Sequence, residues 1–139
     1  MIDKKFKALK HSYLNHSIEL TGSELIKGYK PDVVLKDSNH YVILESEHST
    51  NRKTYLGGLL KAAKFLTGRN QGILVFVMKI QSNTKIEQIT NHLGSYLRYI
   101  EPISNLKEVF VISDEEYCPN KTHPLPIKSD EFNSVARKV

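Results

Sequence analysis

The chain has 139 residues and a formal net charge of +5, a size that fits one domain with its own core rather than two independent ones. No apolar stretch approaches the roughly 20 residues that span a bilayer, the charged N-terminus lacks the apolar core of a signal peptide, and the single cysteine, Cys118, excludes an intramolecular disulfide. We therefore expect one cytoplasmic domain over residues 1–139, without membrane contact, whose positive charge favours a polyanionic partner.

The N-terminal part of the chain combines a helix-like pattern with two strand-like runs. Apolar residues between positions 6 and 27 recur at spacings that favour one or two helices. A break follows at Gly28 and Pro31, because residues before proline avoid the helical region. Two strands come next, over about residues 32–36 and 40–47, and a tight turn joins them. This part therefore predicts a helical segment followed by a β-hairpin.

The middle of the chain predicts a helix, a buried strand and a second helix. The first helix begins at Thr50 or Asn51 and ends at Gly68, where its apolar periodicity stops. The apolar run 72–78 has the length of a strand that is covered on both faces. A capping box over residues 84–87 precedes an amphipathic pattern, which predicts the second helix.

The C-terminal part predicts one more strand and then irregular structure. Residues 109–112 form a short apolar run, whereas prolines interrupt residues 117–139, where only a short helix near 130–138 is expected. The element order is thus α-β-β-α-β-α-β, with a core over about residues 5–115. Strands that alternate with helices predict an α/β fold with a mixed central β-sheet flanked by helices.

Three carboxylates lie at the ends of the two hairpin strands: Asp32, Glu45 and Glu47. If Ser38 and Asn39 form a two-residue hairpin loop, Asp37 pairs with His40 and, further along both strands, Asp32 pairs with Glu45. A four-residue loop from Asp37 to His40 gives the same register. Cross-strand partners share a face, with their β-carbons roughly 5 Å apart. Glu47 lies on that face about 7 Å further along the strand. We therefore predict that the three carboxylates converge on one patch.

A patch of three carboxylates indicates a bound cation. Like charges at this distance raise one another's pKa values, and a divalent ion removes the repulsion by taking oxygen ligands from several of them. Mg²⁺, or Mn²⁺ in its place, prefers a few carboxylates together with water and a phosphate oxygen. Such an ion polarises a phosphodiester and activates water. The simpler alternative is that each acid is only solvated at the end of its strand.

The spacing of these acids also carries a family resemblance. Pro31-Asp32, followed after twelve residues by Glu45-Ser46-Glu47, resembles the motif of the PD-(D/E)XK nuclease superfamily, which has the restriction-endonuclease-like fold. The resemblance extends to the order of helices and strands. Glu47 departs from the commonest motif, which has lysine there, although some type II restriction endonucleases carry Glu-X-Glu. The resemblance implies that Asp32 and Glu45 bind the metal and that Glu47 acts on the attacking water.

The resemblance implies roles for residues outside the motif as well. An acid on the first helix, Glu24 in preference to Glu19, adds a metal ligand. Lys53 or Lys61, on the helix that follows the motif, supplies the positive charge that Glu47 lacks, although a plain surface position would also account for either lysine. Apart from the resemblance, a collar of basic residues around the acids predicts contact with nucleic acid; it comprises Lys27, Lys30, Lys36, Arg52, Lys53, Lys61, Lys64 and Arg69. The predicted contacts are Lys30, Arg52, Lys53 and Lys64.

Together these features predict a Mg²⁺-dependent endonuclease that hydrolyses phosphodiester bonds in DNA. A homodimer is expected, because one small chain covers little of a duplex and both strands must be cut. Two alternatives keep the same fold: a structure-selective nuclease resembling Holliday junction resolvases, and a non-catalytic nucleic-acid-binding module, which Glu47 in place of lysine would suit. A glycosidase carboxylate pair is less attractive, because the chain has no tryptophan and few aromatic residues near the acids.

Overall fold

The computed structural model describes residues 1–81 and 83–139. In this part of the chain, six strands form one sheet and helices lie on both sides of it. The elements in chain order are α1 (Asp3–Ala8), β1 (Ser17–Leu20), β2 (Val33–Asp37), β3 (His40–His48), α2 (Arg52–Phe65), β4 (Gln71–Lys79), α3 (Ile86–Ile100), a 3-10 helix (Glu101–Ile103), β5 (Leu106–Ser113), α4 (Asp114–Tyr117), α5 (Asp130–Val135) and β6 (Arg137–Lys138).

Strand direction divides the sheet into two parts. The strands lie in the order β1 to β6; β1, β2 and β3 pair antiparallel, β3, β4 and β5 pair parallel, and β6 returns antiparallel to β5. Parallel neighbours need crossover connections, which α2 and α3 provide. The predicted α/β class, a mixed sheet flanked by helices, is confirmed. The carboxyl ends of the three parallel strands meet at one edge, where open α/β sheets commonly bind ligands.

The central strand β4 is buried on both faces, as its continuous apolar sequence predicts. Phe76 belongs to a cluster that includes Leu59 of α2 and Leu93 of α3. Val75 belongs to the cluster on the opposite face, which includes Phe6 of α1. All five side chains are fully buried, and burial of a side chain of this kind stabilises the fold by about 1.5–3 kcal/mol. The sheet is therefore the middle layer between two apolar cores.

The helical prediction for positions 6–27 is wrong beyond Ala8. α1 ends there, and the chain then forms β1, in which Ile18 pairs with Leu35 of β2. Leu14 and Ile18 are 82% and 44% exposed, so their spacing does not mark the buried face of a helix. Pairing with β1 satisfies backbone groups of β2 that would otherwise form an open edge. The sheet thus has one more strand before the hairpin than the sequence predicts.

The C-terminal segment is more ordered than its prolines indicate. Ile127 and Phe132 are buried in the same cluster as α1, and β6 pairs with β5. Ser113 and Ser129 cap α4 and α5, since each hydroxyl oxygen accepts a hydrogen bond from the N–H group three residues further on. The core therefore extends well past the predicted limit near residue 115.

The two long helices lie close to their predicted positions. α2 ends just before Gly68, whose φ of +63° is a conformation that glycine adopts without steric penalty. α3 begins at Ile86, and the backbone N–H of Lys85 donates to the side chain of Gln88 at 2.9 Å, so the capping box predicted over residues 84–87 is wrong by one position. Within residues 1–81 and 83–139, no helix is long and apolar enough to cross a membrane.

Candidate metal centre

The hairpin that carries the acids has the predicted register. Asp37 pairs with His40 and Val33 pairs with Leu44, so Asp32, which directly precedes β2, continues this register opposite Glu45. Two hydrogen bonds fix the strand ends: the backbone N–H of Asp32 donates to Glu45 Oε1 at 3.1 Å, and the backbone N–H of Ser46 donates to Asp32 Oδ2 at 2.7 Å. The position of each of these two carboxylates is thus set by the other strand.

The three predicted carboxylates do converge. One oxygen each from Asp32, Glu45 and Glu47 lies within 4.8 Å of the other two. Glu45 is 6% exposed, and the other two are half-buried. Oxygens at this spacing can surround a single ion at coordination distances of about 2.0–2.6 Å. We call these three residues the acidic triad.

Burial and mutual repulsion disfavour three free negative charges in the acidic triad. Burial, followed by the charge of Asp32, raises the pKa of Glu45 to about 8, and the same two causes raise the pKa of Glu47 to about 7. Burial also raises the pKa of Asp32, although the Ser46 N–H and the Lys7 ammonium oppose it. At neutral pH the triad therefore favours uptake of protons or of a cation. A donor set made only of carboxylate oxygens fits Mg²⁺ or Mn²⁺.

Two hydrogen bonds hold the Glu45 carboxylate, and α2 approaches it closely at Gly58. The Tyr29 hydroxyl donates to Glu45 Oε2 at 3.3 Å, opposite the Asp32 N–H on Oε1, and a Cβ added at Gly58 of α2 would lie 3.1 Å from Oε2. Burial raises the pKa of Tyr29, so its hydroxyl remains a donor. Each oxygen of Glu45 thus accepts one protein hydrogen bond and retains a lone pair for an ion. No sequence pattern pointed to Tyr29, because its loop reaches Glu45 only through the tertiary fold.

The acidic triad lies in a cleft of about 400 Å³. One wall is a stripe of α2 that includes Lys53, Gly57 and Lys61, spaced one turn apart, and Lys30 lies at the cleft as well. Three of the predicted basic residues are therefore placed at the acids. Arg52 and Lys64 are exposed on α2 outside the lining. Burial raises the pKa of Tyr55, and Arg52 lies close enough to oppose that rise. Contact of either residue with nucleic acid stays a prediction.

The first helix contributes different residues from those predicted. Glu24 lies in a loop rather than on a helix, where its carboxylate accepts a hydrogen bond from the Gly28 N–H at 3.2 Å, and it is not among the residues that line the cleft. Asp3 of α1 lines the cleft instead. One helical turn later, Lys7 places its ammonium 3.8 Å from Asp32 Oδ1. The pair has the i, i+4 spacing of one helix face, a signal that was present in the sequence.

Lys79 is the second basic residue that the sequence prediction missed. It is the last residue of β4, lines the cleft, and donates to Asp3 Oδ1 at 2.7 Å. Burial raises the pKa values of Asp32 and Glu47, and the charge of Lys79 offsets a small part of that rise. The signal for it was topological, because the carboxyl ends of neighbouring parallel strands lie together at one edge of the sheet.

Comparison of the chain with protein-family models, with curated proteins and with solved structures finds no match. The fold and the site nevertheless define a class: an α/β protein with a buried carboxylate cluster at the edge of a mixed sheet, in a cleft bordered by lysines. Such an arrangement can hold a divalent cation, place a carboxylate beside a bound water, and attract an anionic substrate.

Proposed function

We propose that this protein is a metal-dependent endonuclease that hydrolyses phosphodiester bonds in DNA, with Mg²⁺ or Mn²⁺ as its cofactor. One observation carries the proposal: the acidic triad brings three carboxylate oxygens within 4.8 Å of one another in a cleft that four lysines line. Hard oxygen ligands suit a divalent ion, and surrounding ammonium groups suit a phosphate backbone.

Asp32 and Glu45 would hold the ion. Once bound, the ion would polarise the phosphate and make a coordinated water more acidic. The protein orients the ligands in advance, since the Ser46 N–H fixes Asp32 Oδ2 and the Tyr29 hydroxyl fixes Glu45 Oε2. Groups of this kind keep carboxylates in a productive orientation and typically change metal affinity or activity by about 10–100-fold.

Glu47 would act as general base. It is half-buried beside the two ligands, and its pKa of about 7 matches a proton acceptor that works at neutral pH. The attacking water would lose a proton to the Glu47 carboxylate while its oxygen forms a bond to phosphorus. The bond from phosphorus to the leaving oxygen breaks, and that oxygen takes a proton from solvent.

The lysines of the cleft would contact the DNA backbone. Lys53 and Lys61 project from one stripe of α2, and Lys30 approaches the cleft from the loop before β2. Arg52 and Lys64 extend the same basic helix beyond the cleft. Contacts with phosphates release counterions, so DNA affinity should fall steeply as salt rises.

The arrangement of elements supports a restriction-endonuclease-like fold. An N-terminal helix, a hairpin that carries the acids, a helix, a strand, a helix and a strand follow one another in the expected order, with β1 as an addition. We further propose that two copies act together on duplex DNA, because one centre cuts one strand. A preference for branched DNA over linear duplex would indicate the junction-resolving alternative.

The test is incubation of the purified protein with supercoiled plasmid in the presence of Mg²⁺ or Mn²⁺. We expect nicking by the wild type and at least about a 100-fold loss in Asp32→Asn and Glu45→Gln, which remove charge and keep shape. Glu24→Gln is the matched control, because this acid lies outside the triad, and it should cut like the wild type. An intact plasmid with both ions would contradict the proposal, as would undiminished nicking by the two triad variants. DNA binding without cleavage would instead support the non-catalytic module.

A further inference from the structure

Lys79 and Asp3 form an ion pair at the cleft, and their side chains differ in exposure to solvent. The side chain of Lys79 is 15% exposed and that of Asp3 is 61% exposed, and Lys79 Nζ lies 2.7 Å from Asp3 Oδ1. The aliphatic stem of Lys79 is therefore fixed by its surroundings while its ammonium reaches the cleft. Asp3, by contrast, is a largely solvated carboxylate on a six-residue helix.

The position of Lys79 follows from the parallel register. β4 runs beside β3 with Met78 opposite Glu47 and Lys79 opposite His48. Successive side chains of a strand point to opposite faces, so Lys79 leaves β4 on the face that α1 covers, next to Asp3, one residue beyond the pair of Met78 and Glu47. Asp3, Lys79 and the acidic triad line the same cleft.

The proposed site with its metal ion and substrate has a net negative charge that a lysine could offset. Three ionised carboxylates and one divalent ion leave a single net negative charge, and a phosphodiester adds another. Lys7 lies at 3.8 Å from Asp32 Oδ1 and acts on that ligand. Lys53 and Lys61 are exposed on α2, where a lysine side chain loses much entropy on fixation. Lys30 is exposed as well. Among the described residues that line the cleft, Lys79 is thus the lysine whose side chain is mostly buried, and the Asp3 carboxylate with which it pairs is largely solvated.

We propose that Lys79 contacts the substrate phosphate and that Asp3 holds its ammonium in the free protein until the phosphate displaces the Asp3 carboxylate. This inference rests on the proposed nuclease function. The exchange is energetically undemanding, because ion pairs with a solvated partner are worth only about 0–1 kcal/mol. Asp3 thereby competes with DNA for Lys79, and removal of the competitor should strengthen DNA binding.

A purely structural role makes a different prediction. If the pair only fastens α1 to the end of β4, loss of either partner has the same consequence, so Asp3→Asn and Lys79→Met should weaken DNA binding and cleavage alike. If Lys79 contacts the phosphate, the two variants should act in opposite directions. Lys4→Met, at an exposed position of α1, is the matched control for the positive charge that Lys79→Met removes.

The experiment measures three quantities for each variant: DNA affinity by fluorescence anisotropy with Ca²⁺ in place of Mg²⁺, single-turnover cleavage with Mg²⁺, and thermal stability. We expect Lys79→Met to slow cleavage by about 100-fold and to weaken binding severalfold more than Lys4→Met does. Asp3→Asn should tighten binding, and the melting temperatures of the two pair variants should be similar.

Equal losses of binding and cleavage in Asp3→Asn and Lys79→Met, in a wild type that cuts DNA, would overturn the role of Lys79 and leave the nuclease proposal intact. Binding and cleavage in Lys79→Met that equal those of Lys4→Met would likewise overturn the role of Lys79 and leave the nuclease proposal intact. If the wild type binds DNA without cutting it, the anisotropy comparison of the variants alone decides whether Lys79 contacts the phosphate. A wild type that neither cuts nor binds DNA would overturn both proposals.

Discussion

Two clusters of buried polar groups lie on opposite faces of the sheet, and they differ in how well their members satisfy one another. His11 is 4% exposed, and both of its ring nitrogens are paired: Nε2 donates to the Phe6 carbonyl oxygen and Nδ1 accepts from the Tyr117 hydroxyl, each at 2.7 Å. The acidic triad, in contrast, brings together three groups of the same charge. The first cluster is complete within the protein, whereas the second has a set of oxygen ligands that a cation could complete.

The two clusters differ in the kind of role that they suit: the first suits a structural role and the second suits ligand binding. Burial lowers the pKa of His11, which keeps the ring neutral and matches its two hydrogen bonds. Burial raises the pKa values of Glu45 and Glu47, which opposes the charges that the carboxylates need as metal ligands. Buried polar groups without compensation are costly, so their persistence in a cleft points to a ligand.

The largest effect is expected from His11→Ala. The change leaves the Tyr117 hydroxyl without its partner, removes one of the two donors to the Phe6 carbonyl and opens a cavity. The free energy of unfolding should therefore fall by about 2–4 kcal/mol. Urea denaturation measures this loss, and divalent ions should not reverse it. His123→Ala, at an exposed position, should change stability by less than about 0.5 kcal/mol. A loss of similar size in both variants would contradict the structural role of His11.

The two adjacent glycines of α2, Gly57 and Gly58, allow a matched pair of substitutions that tests how tightly Glu45 is packed. A Cβ at Gly58 would lie 3.1 Å from Glu45 Oε2 and 3.4 Å from the Phe76 ring, whereas a Cβ at Gly57 meets nothing within 4 Å. Gly57→Ala should therefore stabilise the helix by up to about 1 kcal/mol. Gly58→Ala should be less stable than Gly57→Ala by about 1–3 kcal/mol and should bind Mn²⁺ more weakly. Equal stabilities and equal Mn²⁺ affinities in the two variants would show that Glu45 is free to move.

A smaller effect is expected from pH in the presence of a chelator. Because the pKa of Glu45 is about 8 in the folded state and about 4.3 in an unfolded chain, the folded state retains a proton that the unfolded state releases. Stability from this group is therefore present at low pH and is lost as pH rises towards 8. The lowered pKa of His11 acts in the opposite direction, but only below about pH 6.5.

Between about pH 6.5 and 8 the wild-type melting temperature should thus fall by about 4 °C, as expected for about 1 kcal/mol in a domain of this size. Glu45→Gln should flatten the slope, since glutamine does not titrate. Thermal unfolding followed by circular dichroism at several pH values provides the measurement. A slope as steep in Glu45→Gln as in the wild type would assign the titration to other groups.

The hairpin and its acids could be predicted from the sequence because they depend on local rules. The alternation of strand and turn residues fixes the pairing of Asp37 with His40, and the period of two then brings Asp32 and Glu45 to one face. The helices α2 and α3 were also predictable, since their apolar residues recur at helical spacing and each is long enough to show it.

What the sequence could not show depends on contacts between distant segments. β1 is a strand because it pairs with the edge of β2, and its own sequence does not have a strand pattern. The same wrong helical prediction placed Glu24 on a helix, whereas it lies in a loop. Tyr29 reaches Glu45 through a loop, and Asp3 meets Lys79 across 76 positions of the chain. The C-terminal segment is ordered by burial of Phe132 in the core, which local proline signals do not reveal.

Calorimetric titration of the protein with Mn²⁺ at neutral pH tests most directly whether the acidic triad is a metal site. We expect one bound ion in the wild type, the same affinity in Glu24→Gln, and no measurable binding in Asp32→Asn or Glu45→Gln. Absence of binding by the wild type, or binding that the two triad variants retain at full strength, would show that the acidic triad is not a metal site.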